Sequence, residues 1–169
     1  METLQPAYLT LFMGKAKVSL HETAYGDGRR MGGRPVELAD INGFYSAFGM
    51  HIQDTDPDLP DHLSVELEFL STLLLKMAWQ KTPSTAQSQI CARAARKFLE
   101  DHLGRWVPSL VKQLDEEGLA PWIALGRLLN LAILGECRAF GAKPVLLPGR
   151  LPADPMQADD FNCPMQEAA

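Results

Sequence analysis

Apolar residues recur at intervals of three and four along most of the chain, which is the spacing of one face of an α-helix. No run alternates apolar and polar residues as a half-buried strand would. The first predicted helix covers residues 4–12, and the second opens at Pro35 and stops near Gly49. The pattern therefore predicts an all-α protein built as a single helical bundle.

The third and fourth predicted helices should form the middle of this bundle. The third runs from about Asp61 to Trp79, and its second half is apolar on nearly all sides, which is typical of a buried helix. The fourth should begin at Thr82 and Pro83, a capping residue followed by a first-turn proline, and end before Gly104. Its buried face should hold Ile90, Ala94, Phe98 and either His102 or Leu103.

Prolines and glycines mark the ends of the last two helices. Pro108 should start a fifth helix that Gly118 closes. Pro121 should start a sixth helix, which continues to Phe140 and ends at Gly141.

The composition changes after Lys143. The segment beyond it is rich in proline and carries four acids after its one base, Arg150. Such a composition does not bury enough apolar surface to fold by itself. We therefore expect a helical domain over residues 1–143 and a proline-rich, acidic C-terminal tail, extended or disordered, over residues 144–169.

Length and composition indicate a globular, intracellular protein. The chain has 169 residues, 46% of them hydrophobic and 22% charged, enough for one domain with a real core. Its three cysteines are far apart and form no CxxC pair, which argues against a disulfide scaffold or a zinc ribbon and fits a reducing cytoplasm. No signal peptide and no apolar run of membrane-spanning length is visible. We expect a cytoplasmic protein without stable membrane insertion.

Negative charge is concentrated in one part of the chain. Residues 35–75 contain eight acids and no lysine or arginine, within a chain whose net charge is −5. Such a segment attracts cations or a basic partner and repels nucleic-acid phosphate. No nucleic-acid partner is expected. A solvated acidic loop that serves only solubility is the alternative.

One histidine–carboxylate pair could do chemistry. His62 stands four residues ahead of Glu66, so the two would share a helix face, and His102 could add a third metal ligand. Di-metal bundles, however, repeat Glu-x-x-His on paired helices, and this sequence has no such motif. It also lacks a nucleophile elbow and a phosphate-binding loop. We predict no catalytic residue, no metal site and no cofactor, and keep a helical metal-binding enzyme that uses His62 and Glu66 as the alternative.

A purely structural role is a further alternative for these residues. Asp61 in the first turn of a helix can accept free backbone N–H groups, and His102 near a helix end complements the dipole there. Capping does not explain why a histidine directly follows an aspartate twice in the chain, at Asp61–His62 and at Asp101–His102.

Four segments, taken in order, resemble the motifs of one family. They are YLTLF at residues 8–12, HETAY at 21–25, PDLPDHLSVELEFL at 57–70 and KFLEDHLGRW at 97–106. The third resembles the Asp-His-apolar-x-x-Glu-Leu-x-Phe segment of the redox-enzyme maturation chaperones of the TorD/DmsD/NarJ type. The others resemble that family's Tyr-x-x-Leu-Phe, Pro-x-Glu-Ser/Thr-x-Tyr and Phe-x-x-x-His-Leu-x-x-Trp segments.

The resemblance implies a cytoplasmic TorD-like helical bundle that is not an enzyme. Members of the family bind the twin-arginine leader, or the apo form, of a molybdopterin-dependent oxidoreductase of the DMSO/nitrate reductase superfamily. They delay its export until the molybdenum cofactor is inserted. An acidic segment beside an apolar groove would complement such a leader, because the leader carries two arginines before an apolar stretch. A structural subunit that permanently holds a partner helix is a third reading.

The resemblance also implies a leader-binding site. Asp58, Asp61 and Glu66 would receive the basic part of the leader, and His62 would orient Asp61 or touch the leader. The other leader-binding candidates are Glu22, Tyr25, Phe48 and Phe69. Four further motif residues are expected to be structural, namely Phe98, His102, Leu103 and Trp106.

Two features depart from the family pattern. The family usually has several helices ahead of its Tyr-x-x-Leu-Phe segment, and only a handful of residues precede Tyr8 here. We therefore expect a bundle that lacks the usual N-terminal helices, or a chain whose start is incomplete. Missing helices would expose an apolar face and favour a homodimer or a helix-exchanged dimer. VSL at residues 18–20 also replaces the Pro-Pro pair usual before the Glu-Ser/Thr stretch.

Overall fold

A computed structural model of the chain shows a bundle of helices. It describes residues 4–13, 16–26, 33–52, 59–79 and 86–149. Within these ranges there are six α-helices, a short 3-10 turn and no strand, so the all-α prediction is confirmed. The helices are α1 (Leu4–Phe12), α2 (Gly33–Ala47), α3 (Leu63–Ala78), α4 (Ala86–Asp101), α5 (Leu103–Glu117) and α6 (Ala120–Phe140).

Capping residues explain several helix ends. His62 precedes α3 in an extended conformation, and its Nδ1 accepts a hydrogen bond from the Ser64 backbone N–H at 3.3 Å. The capping role considered for Asp61 is therefore taken by His62. Gly118 and Gly141 follow α5 and α6 with φ angles of 75° and 66°, left-handed values that favour glycine.

The prediction that α5 starts at Pro108 is wrong. The helix begins at Leu103 and contains Pro108 in its interior. Only His102 separates α4 from α5, and its backbone angles, φ −125° and ψ −105°, interrupt the helix. Gly104 permits this tight junction, because a Cβ there would lie 2.4 Å from the Leu99 carbonyl oxygen. A proline is usually a start signal, but here the close approach at Gly104 fixes the break earlier.

Aromatic side chains from α2, α3 and α4 form the centre of the core. The ring centroids of Phe69 and Phe98 lie 4.8 Å apart, and those of Tyr45 and Phe69 lie 5.0 Å apart. From α5, Leu103 and Trp106 are fully buried. The core is thus formed where these four helices meet.

Two predicted faces are wrong in part. On α4 Phe98 is buried as predicted, as are His102 and Leu103 after it, but Cys91 and Ala95 lie inside where Ile90 and Ala94 were expected, and Ile90 is 48% exposed. The second half of α3 is not surrounded, since Leu75 is 66% exposed and the following Trp79 is 88% exposed. Both errors arise because periodicity marks apolar positions but does not say how many neighbouring helices cover them.

Two extended segments hold the helices together. In the first, within residues 16–26, the Glu22 N–H donates to the Asp61 carbonyl at 2.9 Å. The Leu63 N–H donates back to the Leu20 carbonyl, also at 2.9 Å. The N-terminal connection is thereby fixed to the start of α3.

The second extended segment, residues 144–149, lies along α5. The Leu147 N–H donates to the Arg105 carbonyl at 2.9 Å, and the Ser109 hydroxyl donates to the Leu147 carbonyl at 2.5 Å. The beginning of the predicted tail therefore packs on the bundle. The boundary at Lys143 stays a prediction, and residues 150–169 lie outside the described residues.

Some predicted features cannot be placed. The Asp54–Asp58 part of the acidic loop and the Thr82–Pro83 cap lie outside the described residues. Across the part of the chain that is described, no helix combines the length and apolar character needed to cross a membrane.

Candidate functional site

Three of the four motif segments meet in one buried layer. The rings of Tyr25 and Trp106 lie 5.3 Å apart between centroids, and those of Phe98 and His102 lie 4.9 Å apart. We call this layer the motif cluster. It comprises Glu22, Tyr25, Asp61, Glu66, Phe69, Phe98, His102 and Trp106, all at most 2% exposed.

The three carboxylates of the motif cluster have defined polar partners. Trp106 Nε1 donates to Glu66 Oε2 at 3.1 Å, and His102 Nδ1 lies 3.0 Å from Glu22 Oε2. These bonds join the HETAY and DHLSVELEFL segments to the last motif segment. The polar residues of the motifs therefore connect buried elements through hydrogen bonds. This is expected, because buried polar groups in proteins are generally hydrogen-bonded.

Asp61 carries the most complete set of hydrogen bonds in the cluster. Its Oδ1 lies 3.1 Å from His21 Nδ1, and its Oδ2 accepts from the Thr23 hydroxyl at 2.5 Å. Burial alone would raise the pKa of Asp61, but the hydrogen bonds from His21 and Thr23 outweigh it and hold this pKa below its ordinary value. Asp61 is thus ionised at neutral pH, as a partner for the His21 ring.

Glu66 is affected in the opposite direction. Burial, reinforced by the neighbouring Glu22 carboxylate, raises the pKa of Glu66 well above its ordinary value, despite the hydrogen bond from Trp106. Between the ordinary pKa of glutamate, about 4.3, and this raised value, the folded chain binds more protons than the unfolded chain. The free energy of unfolding should therefore fall as pH rises through this window.

We expect Glu66→Gln to remove this pH dependence. A glutamine can still accept from Trp106 Nε1 but does not ionise. Denaturant unfolding at about pH 5 and pH 8 should show a variant similar to wild type at the lower pH and more stable by about 1 kcal/mol or more at the higher pH. Glu68→Gln, at an exposed position of the same helix, is the matched control. Parallel pH curves for wild type and Glu66→Gln would contradict the assignment.

The leader-binding candidates divide by accessibility. Glu22, Tyr25, Asp61, Glu66 and Phe69 lie in the buried motif cluster. His62 and Phe48 are half-buried and reach the surface. Asp58 lies outside the described residues. Contact of any of these residues with a leader stays a prediction.

The side chains named for a possible metal site form hydrogen bonds with different partners. His62 Nδ1 lies 2.6 Å from the Ser64 hydroxyl, whereas Glu66 bonds to Trp106 and His102 to Glu22. Throughout the described ranges, no group of three histidine, cysteine, aspartate or glutamate side chains is placed to hold a metal ion.

An apolar groove of about 390 Å³ lies between the ends of α2 and α3 and the start of α4. Phe48, Trp79 and Ile90 line it, and Lys76 is the one charged residue among the described residues of its lining. The Lys76 ammonium donates to the Phe48 carbonyl at 2.6 Å and lies 5.9 Å from the centre of the Phe48 ring. Trp79 and Ile90 were not predicted here, because the sequence placed Ile90 on the buried face of the fourth helix and Trp79 at the end of a helix whose second half was expected to be buried.

The chain belongs to the nitrate reductase delta subunit family, whose family model matches residues 1–112, more than half of the chain. The prediction of a TorD/NarJ-type member is confirmed.

Three relatives illustrate the family. The selenate reductase assembly chaperone of Thauera selenatis is 38% identical over 117 residues, covering 68% of this chain and 58% of the relative. The chlorate reductase assembly chaperone of Ideonella dechloratans is 35% identical with the same coverage. The chaperone protein TorD of Vibrio cholerae is 26% identical over 102 residues, covering 59% of this chain and 44% of the relative. The chain spans less than two thirds of the length of these relatives, and no solved structure matches it.

Proposed function

We propose that this chain is a system-specific maturation chaperone for a molybdopterin-dependent oxidoreductase. The observation that carries the proposal is its likeness to proteins named as assembly chaperones for selenate, chlorate and perchlorate reductases. On this proposal the chain acts in the cytoplasm without catalysing a reaction. It binds the catalytic subunit of the reductase, through its twin-arginine leader or its apo form, before export or assembly.

The motif residues would have two different roles in binding a leader. We propose that Phe48 and His62 contact the leader, together with Asp58 of the acidic loop. The buried candidates would act by positioning these residues: Glu22, Tyr25, Asp61, Glu66 and Phe69. The hydrogen bonds of Asp61 support this division, because they tie the N-terminal connection to the start of the helix that His62 caps.

The apolar groove is the surface that we propose for the apolar part of the leader. A helical peptide binds a hydrophobic groove through a few apolar anchors, and exposed tryptophans often dominate such binding. Trp79 is 88% exposed beside Phe48 and Ile90, so it can cover a peptide without rearranging the core.

Affinity capture tests the proposed function. The purified chain would be immobilised and offered the catalytic subunits of selenate-, chlorate- and nitrate-type reductases, each with and without its leader. We expect reversible, salt-sensitive capture of one apo subunit, with cofactor-loaded subunit retained less. Capture of none of them, or equal capture of all, would contradict a system-specific chaperone.

We expect Trp79→Ala to weaken leader binding about five- to tenfold, a loss of about 1 kcal/mol that only a minority of interface residues show when truncated. Its fold should be unaffected, because the side chain is 88% exposed. Leu146→Ala, which truncates a 58% exposed residue of the second extended segment, is the matched control. Calorimetric titration with the captured subunit's leader peptide gives both affinities, and equal affinities for the two variants would remove the groove from the proposal.

We also propose that the chain forms a homodimer or exchanges helices between two copies. Large apolar side chains are exposed on α1 and α6, among them Leu4, Leu9, Leu125, Leu128 and Leu131. Exposed apolar surface of this kind favours self-association. Sedimentation equilibrium over a range of concentrations would distinguish a dimer from a monomer.

A further inference from the structure

Glu22 and Glu66 are two buried carboxyl groups held by neighbouring donors. Their partners, His102 and Trp106, are four residues apart, the spacing of adjacent side chains on a helix. His102 Nδ1 lies 3.0 Å from Glu22 Oε2, and Trp106 Nε1 donates to Glu66 Oε2 at 3.1 Å. Both glutamates are 0% exposed. The two carboxyl groups therefore lie side by side, out of contact with water.

The backbone brings these carboxyl groups together from separate segments. The Glu22 N–H donates to the Asp61 carbonyl at 2.9 Å, which fixes the N-terminal connection, residues 16–26, beside the start of α3. Glu66 lies in the first turn of α3, little more than one helical turn beyond Asp61. A bond between the two glutamate side chains would thus join the connection to α3 a second time, through side chains.

One oxygen of Glu66 needs a hydrogen-bond donor. Its Oε1 is buried, and no N–H or O–H group of the described residues donates to it. An ionised Glu22 supplies no donor either, because a carboxylate only accepts. Two buried, adjacent carboxylates also repel each other, so such a pair ordinarily keeps one proton. In agreement, burial together with Glu22 raises the pKa of Glu66 well above its ordinary value.

We propose that Glu22 and Glu66 share one proton, and that this proton holds the N-terminal connection to α3. Glu66 Oε1 carries the proton and donates it to Glu22 Oε1, while His102 Nδ1 donates to Glu22 Oε2. The hydrogen bonds then run from Trp106 through both glutamates to His102 and satisfy all four carboxyl oxygens. The single negative charge of the pair lies on Glu22, because His102 donates to that group.

Loss of the shared proton at alkaline pH removes this bond. Within the described residues, the other titratable groups around the pair are Tyr45 of α2, Asp61 ahead of α3, and His102. The Tyr45 hydroxyl donates to a backbone carbonyl, and Asp61 only accepts, so neither replaces the lost donor. Two ionised glutamates then face each other, and the N-terminal connection should loosen locally while the bundle stays folded.

Infrared spectroscopy of the full chain, labelled with ¹³C at the glutamate side-chain carboxyls, tests for the proton. A protonated carboxyl group absorbs apart from carboxylates, and the label assigns the band to glutamate. We expect the band in wild type at about pH 7 and its absence in Glu66→Gln. Glu22→Gln should lower the pH at which the band is lost by about one unit or more, because it removes a charge and offers Glu66 an N–H. Glu68→Gln, at an exposed position of α3, should leave the band unchanged.

Amide hydrogen exchange, corrected for its intrinsic pH dependence, reports on the N-terminal connection itself. The Leu63 N–H bonds to the Leu20 carbonyl, and the Ala142 N–H bonds to the Cys137 carbonyl far from the connection. As the infrared band disappears in wild type, protection of the Leu63 amide should fall by about tenfold or more, and that of the Ala142 amide should not. In Glu66→Gln the Leu63 amide should keep its protection over the same pH range.

Three results would overturn the shared proton. The first is no protonated glutamate in wild type at about pH 7, which is decided without any variant. The second is an identical titration of the band in wild type and Glu22→Gln, which would show that burial alone protonates Glu66. The third is an equal loss of Leu63 protection in wild type and Glu66→Gln, which would show that the proton does not hold the connection. None of these results depends on whether the chain captures a reductase subunit.

Discussion

Replacing Asp61 with alanine should lower the free energy of unfolding by about 3 kcal/mol or more, because two side chains and the Thr23 backbone N–H lose a buried, ionised acceptor. The carboxylate is fully buried and accepts hydrogen bonds from the side chains of His21 and Thr23. Without it, those groups lose their acceptor, and the N-terminal connection is held to the start of α3 by backbone hydrogen bonds alone. The effect is large because the group is ionised and buried, so its removal leaves donors unsatisfied.

The measurement is denaturant unfolding followed by circular dichroism. Asp101→Ala is a suitable control, because that aspartate also forms an ion pair, with Lys97, but is partly exposed and should lose less than about 1 kcal/mol. The pKa of Asp61 is lowered in the fold, so its contribution is present above the ordinary aspartate pKa and is lost as pH falls through the lowered value. The difference between wild type and Asp61→Ala should therefore shrink in acid. Equal losses for Asp61→Ala and Asp101→Ala would show that the Asp61 bonds are not structural.

Replacing Gly104 with alanine should destabilise the chain by about 3 kcal/mol or more, at the upper end of overpacking effects. The added Cβ would lie 2.4 Å from the Leu99 carbonyl oxygen and 2.9 Å from Pro144 Cγ. A backbone carbonyl at the end of α4 does not move without opening the junction at His102. The substitution should therefore also displace the His102 ring from Glu22.

Alanine substitutions at two other glycines serve as controls for this prediction. At Gly126 the nearest atom to an added Cβ is Leu114 Cδ1 at 2.8 Å, the end of a flexible side chain, so Gly126→Ala should be milder. At Gly135, inside α6, nothing lies within 4 Å, and Gly135→Ala should stabilise the helix by about 0.5–1 kcal/mol. Thermal unfolding of the three variants should give the order Gly135, Gly126, Gly104 from most to least stable. Similar melting temperatures for the Gly104 and Gly135 variants would contradict the packing at the junction.

The fold class follows from the sequence because helical periodicity and glycine stops are local signals. Gly118 and Gly141 end α5 and α6 where predicted, since a left-handed residue after a helix strongly favours glycine. The prediction that α5 starts at Pro108 failed because this helix start is not set by a local signal. It depends on a contact between Gly104 and another segment of the chain. The exposure of Trp79 is likewise set by how many helices surround α3, which no local pattern encodes.

The candidate site was only partly predictable. The motif segments contain residues that the structure brings together, such as Glu22 with His102 and Glu66 with Trp106. Sequence spacing could not show that these carboxylates face inward, since an acid is usually a surface residue. Sequence spacing also did not identify His21 as the partner of Asp61. The two residues are forty positions apart and meet only because the N-terminal connection packs against the start of α3.

The burial of the motif cluster changes how the family motif should be read. Motif residues that pair across the core determine the position of the surface around them, so on the proposed function their substitution would weaken leader binding by loosening that surface. Stability and binding must therefore be measured on the same variants. The Asp61→Ala and Asp101→Ala variants separate the two effects, because leader affinity can be measured under conditions where both variants remain folded.

The most direct measurement of the proposed maturation role is the molybdenum content of the reductase catalytic subunit identified by the affinity capture proposed above. The subunit would be purified from cells with and without the chain, and molybdenum measured per mole of protein by mass spectrometry. A maturation chaperone predicts a severalfold lower content without the chain, restored by wild type and less by Trp79→Ala. Equal molybdenum content with and without the chain would contradict a role in maturation.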